Sequence, residues 1–400
     1  MASDQGTEYR TLRCLDLSTG EQRHLTGDIP WDVTDLEVSP CGDLIAAVVD
    51  EDGASRLYLV GPDGTDRRRI EGLPMGVMGR VLFHPGGRLL AFGIETPRAP
   101  RDIYVVDLDT GEIARWTDSE VGGVSRAAMV EPELIHYPTF DEVDGAARQI
   151  SCYWYRPSAT PEPTPVVVQI HGGPESQFLP SFDWFHQFLV NELGVSVLAP
   201  NVRGSTGYGK AFAALDNGLR REDSVRDIGA LLDWVGQQPS LDAGRVAVMG
   251  ASYGGYMALA SMIHYGDRLR CGLCCVGIGN FVTFLENTKG YRQDLRRTEY
   301  GDEREPEMRA FLERISPTAR AAAITRPMLM SQGLNDPRVP ASEAEQMVAT
   351  MREHGVEVWY MVAADEGHGF LKKANADFLA DVQVLFLEEH LAGEPRREAP

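Results

Sequence analysis

The stretch Gly250-Ala251-Ser252-Tyr253-Gly254 sets one serine close to small residues, after the apolar run 246–249 and before the apolar run 255–260. A buried strand that ends in such a pattern and turns at once into a helix holds its serine on a strained turn. Neighbouring chain segments pass close there, so the flanking side chains must be small. Ser252 is therefore the candidate nucleophile. The N–H of Tyr253, at the helix start, points toward negative charge developing on a bound carbonyl.

A serine hydroxyl is a weak nucleophile near neutral pH and needs a base, itself oriented by a carboxylate. In hydrolases built on a strand–turn–helix nucleophile, acid and then histidine follow the serine, each on a loop after a strand. "SQGLNDPRVP" places Asp336 just past one apolar run and "ADEGHGF" places His368 just past another. His368 would take the Ser252 proton and return it to the leaving group, while Asp336 would fix the imidazole tautomer and stabilise its cation. His171 competes as base, but it precedes the serine and opens "HGGP". Asp365 and Glu366 are rival acids, close to His368 in sequence for reaching the correct ring nitrogen. In "QIHGGPES" the glycines let the backbone approach a substrate carbonyl, which makes the amide of Gly173 the second candidate oxyanion donor. The glycine-rich "NVRGSTGYGKAF" lacks the Gly-Lys-Ser/Thr ending of a phosphate cradle, and its Arg203 reads as a structural ion-pairing residue.

These residues need a scaffold, and two rhythms supply it. From about residue 131 to 392, apolar strand candidates at 166–170, 195–200, 245–250, 271–277, 327–333 and 356–362 alternate with amphipathic stretches such as "EDSVRDIGALLDWVGQQ". That alternation predicts a mostly parallel sheet wrapped by helices, an α/β-hydrolase fold, opened by an antiparallel hairpin of "ELIHY" and "QISCYWYRP". Across residues 1–130 a different pattern repeats. Pro40, Leu44 and Ala46 recur as Pro85, Leu89 and Ala91, an offset of 45, and "DLSTGE" at 16–21 returns as "DLDTGE" at 107–112. Short alternating strands at that period predict a small all-β region, a partial β-propeller. Residues 393–400 read as a flexible tail.

Composition excludes several partners. The net charge of −21 opposes binding to nucleic acid or to anionic membrane surfaces. No run of about 18 apolar residues appears, and the first residues lack the basic-then-apolar order of a signal peptide, which predicts a cytoplasmic protein. Of six cysteines, Cys271, Cys274 and Cys275 cluster without a second Cys/His pair at ligand spacing and read as buried strand residues, so no metal and no cofactor are expected.

Together "HGGP", "NVRGSTGYG", "GASYGGYMAL", "FLENT", "YGDE", "GLNDPRVP", "EAEQMVATMREHGVEVWYM" and "DEGHGF" resemble the prolyl oligopeptidase family of serine peptidases, nearest its acylaminoacyl peptidase-like branch. The resemblance runs over almost all of residues 131–392. It implies attack on a peptide or amide through an acyl-enzyme, with Ser252, Asp336 and His368 at the triad positions and Gly173 and Tyr253 at the oxyanion positions. It also implies an N-terminal propeller that restricts entry to short substrates. Here the sequence departs from the family pattern, because about 130 residues hold only about two and a half to three blades of about 40 to 50 residues. The expected substrate is a small peptide or acyl-amide. The alternatives are a non-peptide amide, ester or thioester in a biosynthetic pathway, consumed by hydrolysis or acyl transfer, and a non-catalytic binding protein on the same fold. Too few blades to close a ring leave sheet edges unpaired, with Arg67, Arg68 and Arg69 to blunt only one of them, which predicts a homo-oligomer through the N-terminal region.

Overall fold

The structure is a computed structural model that describes residues 1–393. Apart from Gly393, the expected tail lies outside the described residues. The chain divides into two compact units. The first comprises Met1–Pro132 with Gln177–Gln187 and Thr206–Ala213, and the second Glu133–Ser176, Phe188–Ser205 and the chain from Ala214 onward.

The Met1–Pro132 part of the first unit is β apart from a single helical turn at Arg126–Ala128, and it carries three antiparallel sheets. Ala2–Ser3, Thr11–Leu15 and Gln22–His24 form one. Asp32–Val38, Ile45–Glu51, Ala54–Val60 and Arg67–Arg69 form the next, and Val77–Phe83, Leu89–Thr96, Ala99–Asp107 and Ile113–Arg115 the third. The repeated "DL-TGE" segments join the last two strands of their sheets by the same local hydrogen bonds. Asp16 Oδ1 accepts from the N–H groups of Ser18 and Thr19, and Asp107 Oδ1 from those of Asp109 and Thr110. Alternation sorts the side chains of the middle sheet. Ala46, Val48, Leu57 and Leu59 join one apolar cluster with residues of the third sheet, while Ala47, Val49 and Val60 join another with Leu12 and Leu25. The middle sheet is thus covered on both faces, as successive side chains of a strand point oppositely. Arg67–Arg69 forms an edge strand, and Arg67 grips Asp28 through two hydrogen bonds of 2.6 and 2.5 Å.

The second unit is an α/β-hydrolase-like domain. Its eight strands are β1 (Glu133–Val143), β2 (Ala146–Tyr155), β3 (Thr164–Ile170), β4 (Ser196–Pro200), β5 (Leu241–Ala251), β6 (Cys271–Cys275), β7 (Met328–Gly333) and β8 (Val358–Ala363). They lie in the order β1-β2-β4-β3-β5-β6-β7-β8. The β1–β2 hairpin and the β2–β4 pair are antiparallel, and every later pair is parallel. Val166, Val167 and Val168 of β3 and Val246, Ala247 and Val248 of β5 are all essentially inaccessible. A parallel strand covered on both faces needs a continuous apolar run, which is why these strands read so clearly in sequence.

Among the helices of the domain are α1 (Asp223–Val235), α2 (Tyr253–Tyr265), α3 (Phe281–Asn287), α4 (Gly290–Tyr300), α5 (Pro306–Ile315), α6 (Ala341–Glu353) and α7 (Lys373–Leu387). Three of them, α3 to α5, fill the β6–β7 connection. Asn280 caps α3 by accepting from the N–H groups of Val282 and Thr283, and Pro306 opens α5 where its missing N–H costs nothing. Arg203 is buried against Asp227 and Asp141, with hydrogen bonds of 2.8 to 3.0 Å that tie the segment after β4 to α1 and β1. Cys271 and Cys274 are buried along β6. Among the described residues, no helix is long and apolar enough to cross a membrane.

Candidate active site

The residues singled out from sequence sit at the carboxyl ends of the parallel strands, where open α/β sheets bind ligands. Ser252 follows β5 with φ 59° and ψ −118°, a region a side chain enters at a cost of about 1–3 kcal/mol. Its N–H is fixed to the carbonyl of Cys275 at 2.9 Å, and its own carbonyl accepts from Tyr256 at 3.1 Å. Steric crowding explains the small neighbours. A Cβ on Gly254 would stand 2.1 Å from the carbonyl oxygen of Ile170, and one on Gly250 2.3 Å from that of Gly254. The "HGGP" loop closes against the same turn, since a Cβ on Gly172 would lie 3.4 Å from Cβ of Ser252. Tyr253 is the first residue of α2, and its N–H belongs to the set with no acceptor inside the helix.

Asp336 follows β7 and His368 follows β8. Nδ1 of His368 lies 2.7 Å from Oδ2 of Asp336. The other oxygen, Oδ1, accepts from the N–H groups of Arg338 at 2.8 Å and Val339 at 3.0 Å, so the carboxylate is clamped in one orientation. Asp336 is buried, whereas His368 keeps part of its ring exposed. The rival acids face elsewhere. Asp365 bonds Lys372 Nζ and Asn375, and Glu366 accepts from the N–H groups of Leu371 and Lys372 ahead of α7. The rival base is also engaged. His171 is buried with Nε2 2.8 Å from Ser205 Oγ, and burial pushes its pKa down to about 4.

Gly173 has φ 131°, and its carbonyl accepts from Arg296 Nη1 and Tyr300 Oη, each at 3.3 Å. Arg296 also pairs with Glu299, whose carboxyl burial pushes up to about 7. These contacts leave no mark in the local sequence, because "GYRQDLRRTEY" has the charged pattern of a solvated surface. As for metals, Glu357, Glu389 and His390 are the one trio of possible ligand side chains among the described residues whose ligand atoms lie within 4.8 Å of one another. Both glutamates are exposed, and none of the three belongs to the loops described above.

Residues 180–394, more than half of the chain, match the sequence profile of the prolyl oligopeptidase family. The chain belongs to that family. Its relatives come from more than one branch of the prolyl oligopeptidase family. It is 36% identical over 236 residues to dipeptidyl aminopeptidase BIII of Pseudoxanthomonas mexicana, covering 58% of this chain and 34% of that protein. It is 27% identical over 262 residues to the acylamino-acid-releasing enzyme of Sus scrofa, covering 64% of this chain and 35% of that one. The chain thus spans about a third of the length of these relatives. Among solved structures, a Mycobacterium tuberculosis puromycin-hydrolyzing peptidase superposes with a TM-score of 0.84 at 22% identity, over 98% of this chain and 60% of that one. An acylaminoacyl peptidase of Pyrococcus horikoshii gives 0.78 at 21%, over 98% and 61%. Both share the two-part architecture of an all-β N-terminal region and an α/β-hydrolase-like domain.

Proposed function

We propose that this chain is a serine hydrolase that cleaves peptide or amide bonds of small substrates through an acyl-enzyme, removing a residue or acyl group from a peptide end. The 2.7 Å contact of His368 with Asp336, taken together with a serine held at positive φ after β5, is the observation that carries the reading. Ser252 Oγ attacks the substrate carbonyl carbon as His368 Nε2 takes its proton. The carbonyl oxygen becomes an anion, stabilised by the N–H groups of Tyr253 and Gly173. Collapse breaks the C–N bond while His368 returns the proton to the leaving amine. Water, deprotonated by His368, then releases the acid and restores Ser252. Asp336 stays ionised and holds Nδ1–H toward itself, leaving Nε2 free to accept.

Relatives named as dipeptidyl and acylamino-acid-releasing enzymes support a short terminal group, a dipeptide or an acylated residue, as the group removed. A second reading, hydrolysis of a non-peptide amide or ester, is favoured by the similar fold of a protein named for hydrolysing puromycin. Fluorophosphonate labelling, followed by rates on aminoacyl amides, acetyl-aminoacyl amides and simple esters, separates these. Labelling with turnover of esters alone would favour the second reading, and no labelling would leave a binding protein. For the first unit we propose a partial β-propeller, on the strength of its three sheets with both faces of the middle one covered. We also propose a homodimer that buries its sheet edges.

A further inference from the structure

The two proposed oxyanion donors lie on different elements, Tyr253 at the start of α2 and Gly173 in the loop after β3, 80 positions apart in the chain. Their separation is therefore set by packing. One buried ion pair touches the supports of both. Arg221 and Asp216 are each inaccessible to solvent, and Arg221 Nη1 donates to Asp216 Oδ2 at 2.5 Å. The same carboxylate oxygen accepts from Tyr253 Oη at 2.9 Å, and that hydroxyl also bonds Ser224 Oγ at 2.8 Å. Tyr253 is thus held by its side chain as well as by the helix. On its other side Arg221 Nη2 donates to the carbonyl of Glu299 at 2.8 Å, which anchors the end of α4. The guanidinium carbon sits 4.7 Å from the ring centroid of Tyr300 and 5.2 Å from that of Tyr253. Tyr300 Oη reaches the Gly173 carbonyl. The contacts run without a break from Gly173 through Tyr300, Arg221 and Asp216 to Tyr253.

Stability alone does not account for charges at this position. Asp216 Oδ1 and Arg221 Nε have no hydrogen-bond partner, and a buried ion pair with unused atoms is often no better than apolar side chains of the same volume. What the pair adds is direction. A planar guanidinium can satisfy a carboxylate on one edge and a carbonyl on another only in a narrow set of orientations.

We propose that Arg221 is a positioning residue that sets the distance between the N–H groups of Tyr253 and Gly173. The inference rests on reading these two as the oxyanion donors. Both bonds strengthen as the carbonyl oxygen gains charge, so a shift in their spacing acts on the transition state and spares substrate binding.

The test compares wild type, Tyr300→Phe and Arg221→Lys on an acetyl-aminoacyl p-nitroanilide. Tyr300→Phe keeps the ring, which packs on Phe281 and Phe284, and removes only the hydroxyl that holds Gly173. Arg221→Lys keeps the charge but loses the fork. A displaced donor is expected to lower kcat by at least about tenfold in each variant, with KM within about twofold of wild type. The double variant should lose no more than the worse single one, because both act on one run of contacts. Should Arg221→Lys fold poorly, Tyr300→Phe alone decides. A folded Arg221→Lys enzyme or a Tyr300→Phe enzyme with wild-type kcat, or with raised KM and unchanged kcat, overturns the proposal. A wild-type chain that takes no fluorophosphonate label would instead remove the reading of the site itself, and this inference with it.

Discussion

His368 and Asp336 are 32 residues apart in sequence, yet Nδ1 of one lies 2.7 Å from Oδ2 of the other, while Asp336 Oδ1 is taken by two backbone N–H groups. An asparagine at position 336 would present either the wrong tautomer to the imidazole or an amide to the N–H groups of Arg338 and Val339. Asp336→Asn is expected to lower kcat by about three to four orders of magnitude. Asp365→Asn, which disturbs only surface contacts to Lys372 and Asn375, should stay within about twofold of wild type. The larger loss in Asp365→Asn would reverse the assignment.

Ser252→Ala removes the attacking atom and almost no volume, and the residue keeps the same backbone turn. Turnover should fall by at least about 10⁴-fold and fluorophosphonate labelling should vanish, with the melting temperature unchanged. Retained turnover would exclude the acyl-enzyme.

Crowding around the serine turn predicts a sharp contrast between two glycines. A Cβ at Gly254 meets the Ile170 carbonyl at 2.1 Å, so Gly254→Ala forces backbone apart and should cost about 3 kcal/mol or more in urea unfolding. At Gly290 a Cβ would meet nothing within 4 Å, and Gly290→Ala should be neutral or slightly stabilising. Equal effects at the two sites would contradict the close approach of β3 to the serine turn.

Burial pushes the Glu343 carboxyl up to about 7, against hydrogen bonds from Thr283, Gln346 and the N–H of Asn280 that favour its charged form. The folded chain thus keeps a proton that the unfolded chain releases near pH 4.5. This contribution is fully present below pH 4.5 and is lost as pH rises toward 7. His171, held neutral to about pH 4 by burial, acts in the opposite sense, with stability falling as pH drops from 6.5 toward 4. The difference between wild type and Glu343→Gln therefore isolates the carboxyl. Between pH 5 and 8 wild type should lose up to about 3 kcal/mol relative to the variant, measured by urea unfolding at each pH. Parallel curves would refute it.

The proposed homodimer is expected in sedimentation equilibrium at micromolar concentration. Trp116, 66% exposed just past the edge strand Ile113–Arg115, is the side chain we expect at the contact, and Trp116→Glu should shift the chain to monomer. A clean wild-type monomer would rule the dimer out.

What could be read from sequence is what short-range physics decides. The return of "DLSTGE" as "DLDTGE" shows because each turn is closed by an aspartate bonding N–H groups two and three residues on, as Asp16 and Asp107 do. Strands β3 and β5 show because burial on both faces demands unbroken apolar runs, and the serine turn shows because contact with Ile170 admits only glycine at 254. Helix α4 could not be read in this way, since its charged residues resemble a solvated surface until Arg296 and Tyr300 are found on the Gly173 carbonyl. The burial of Arg221 depends on a carbonyl 78 residues away. Which of Asp336, Asp365 and Glu366 faces His368 was likewise a tertiary decision. The parallel pairing of Gly333 in β7 with Ala363 in β8 brings their two loops side by side, and Glu366 is taken up by the N–H groups ahead of α7. Local hydrogen bonds and steric limits leave a mark on neighbouring residues, whereas the meeting of side chains far apart in sequence is fixed only when the strands have found their order.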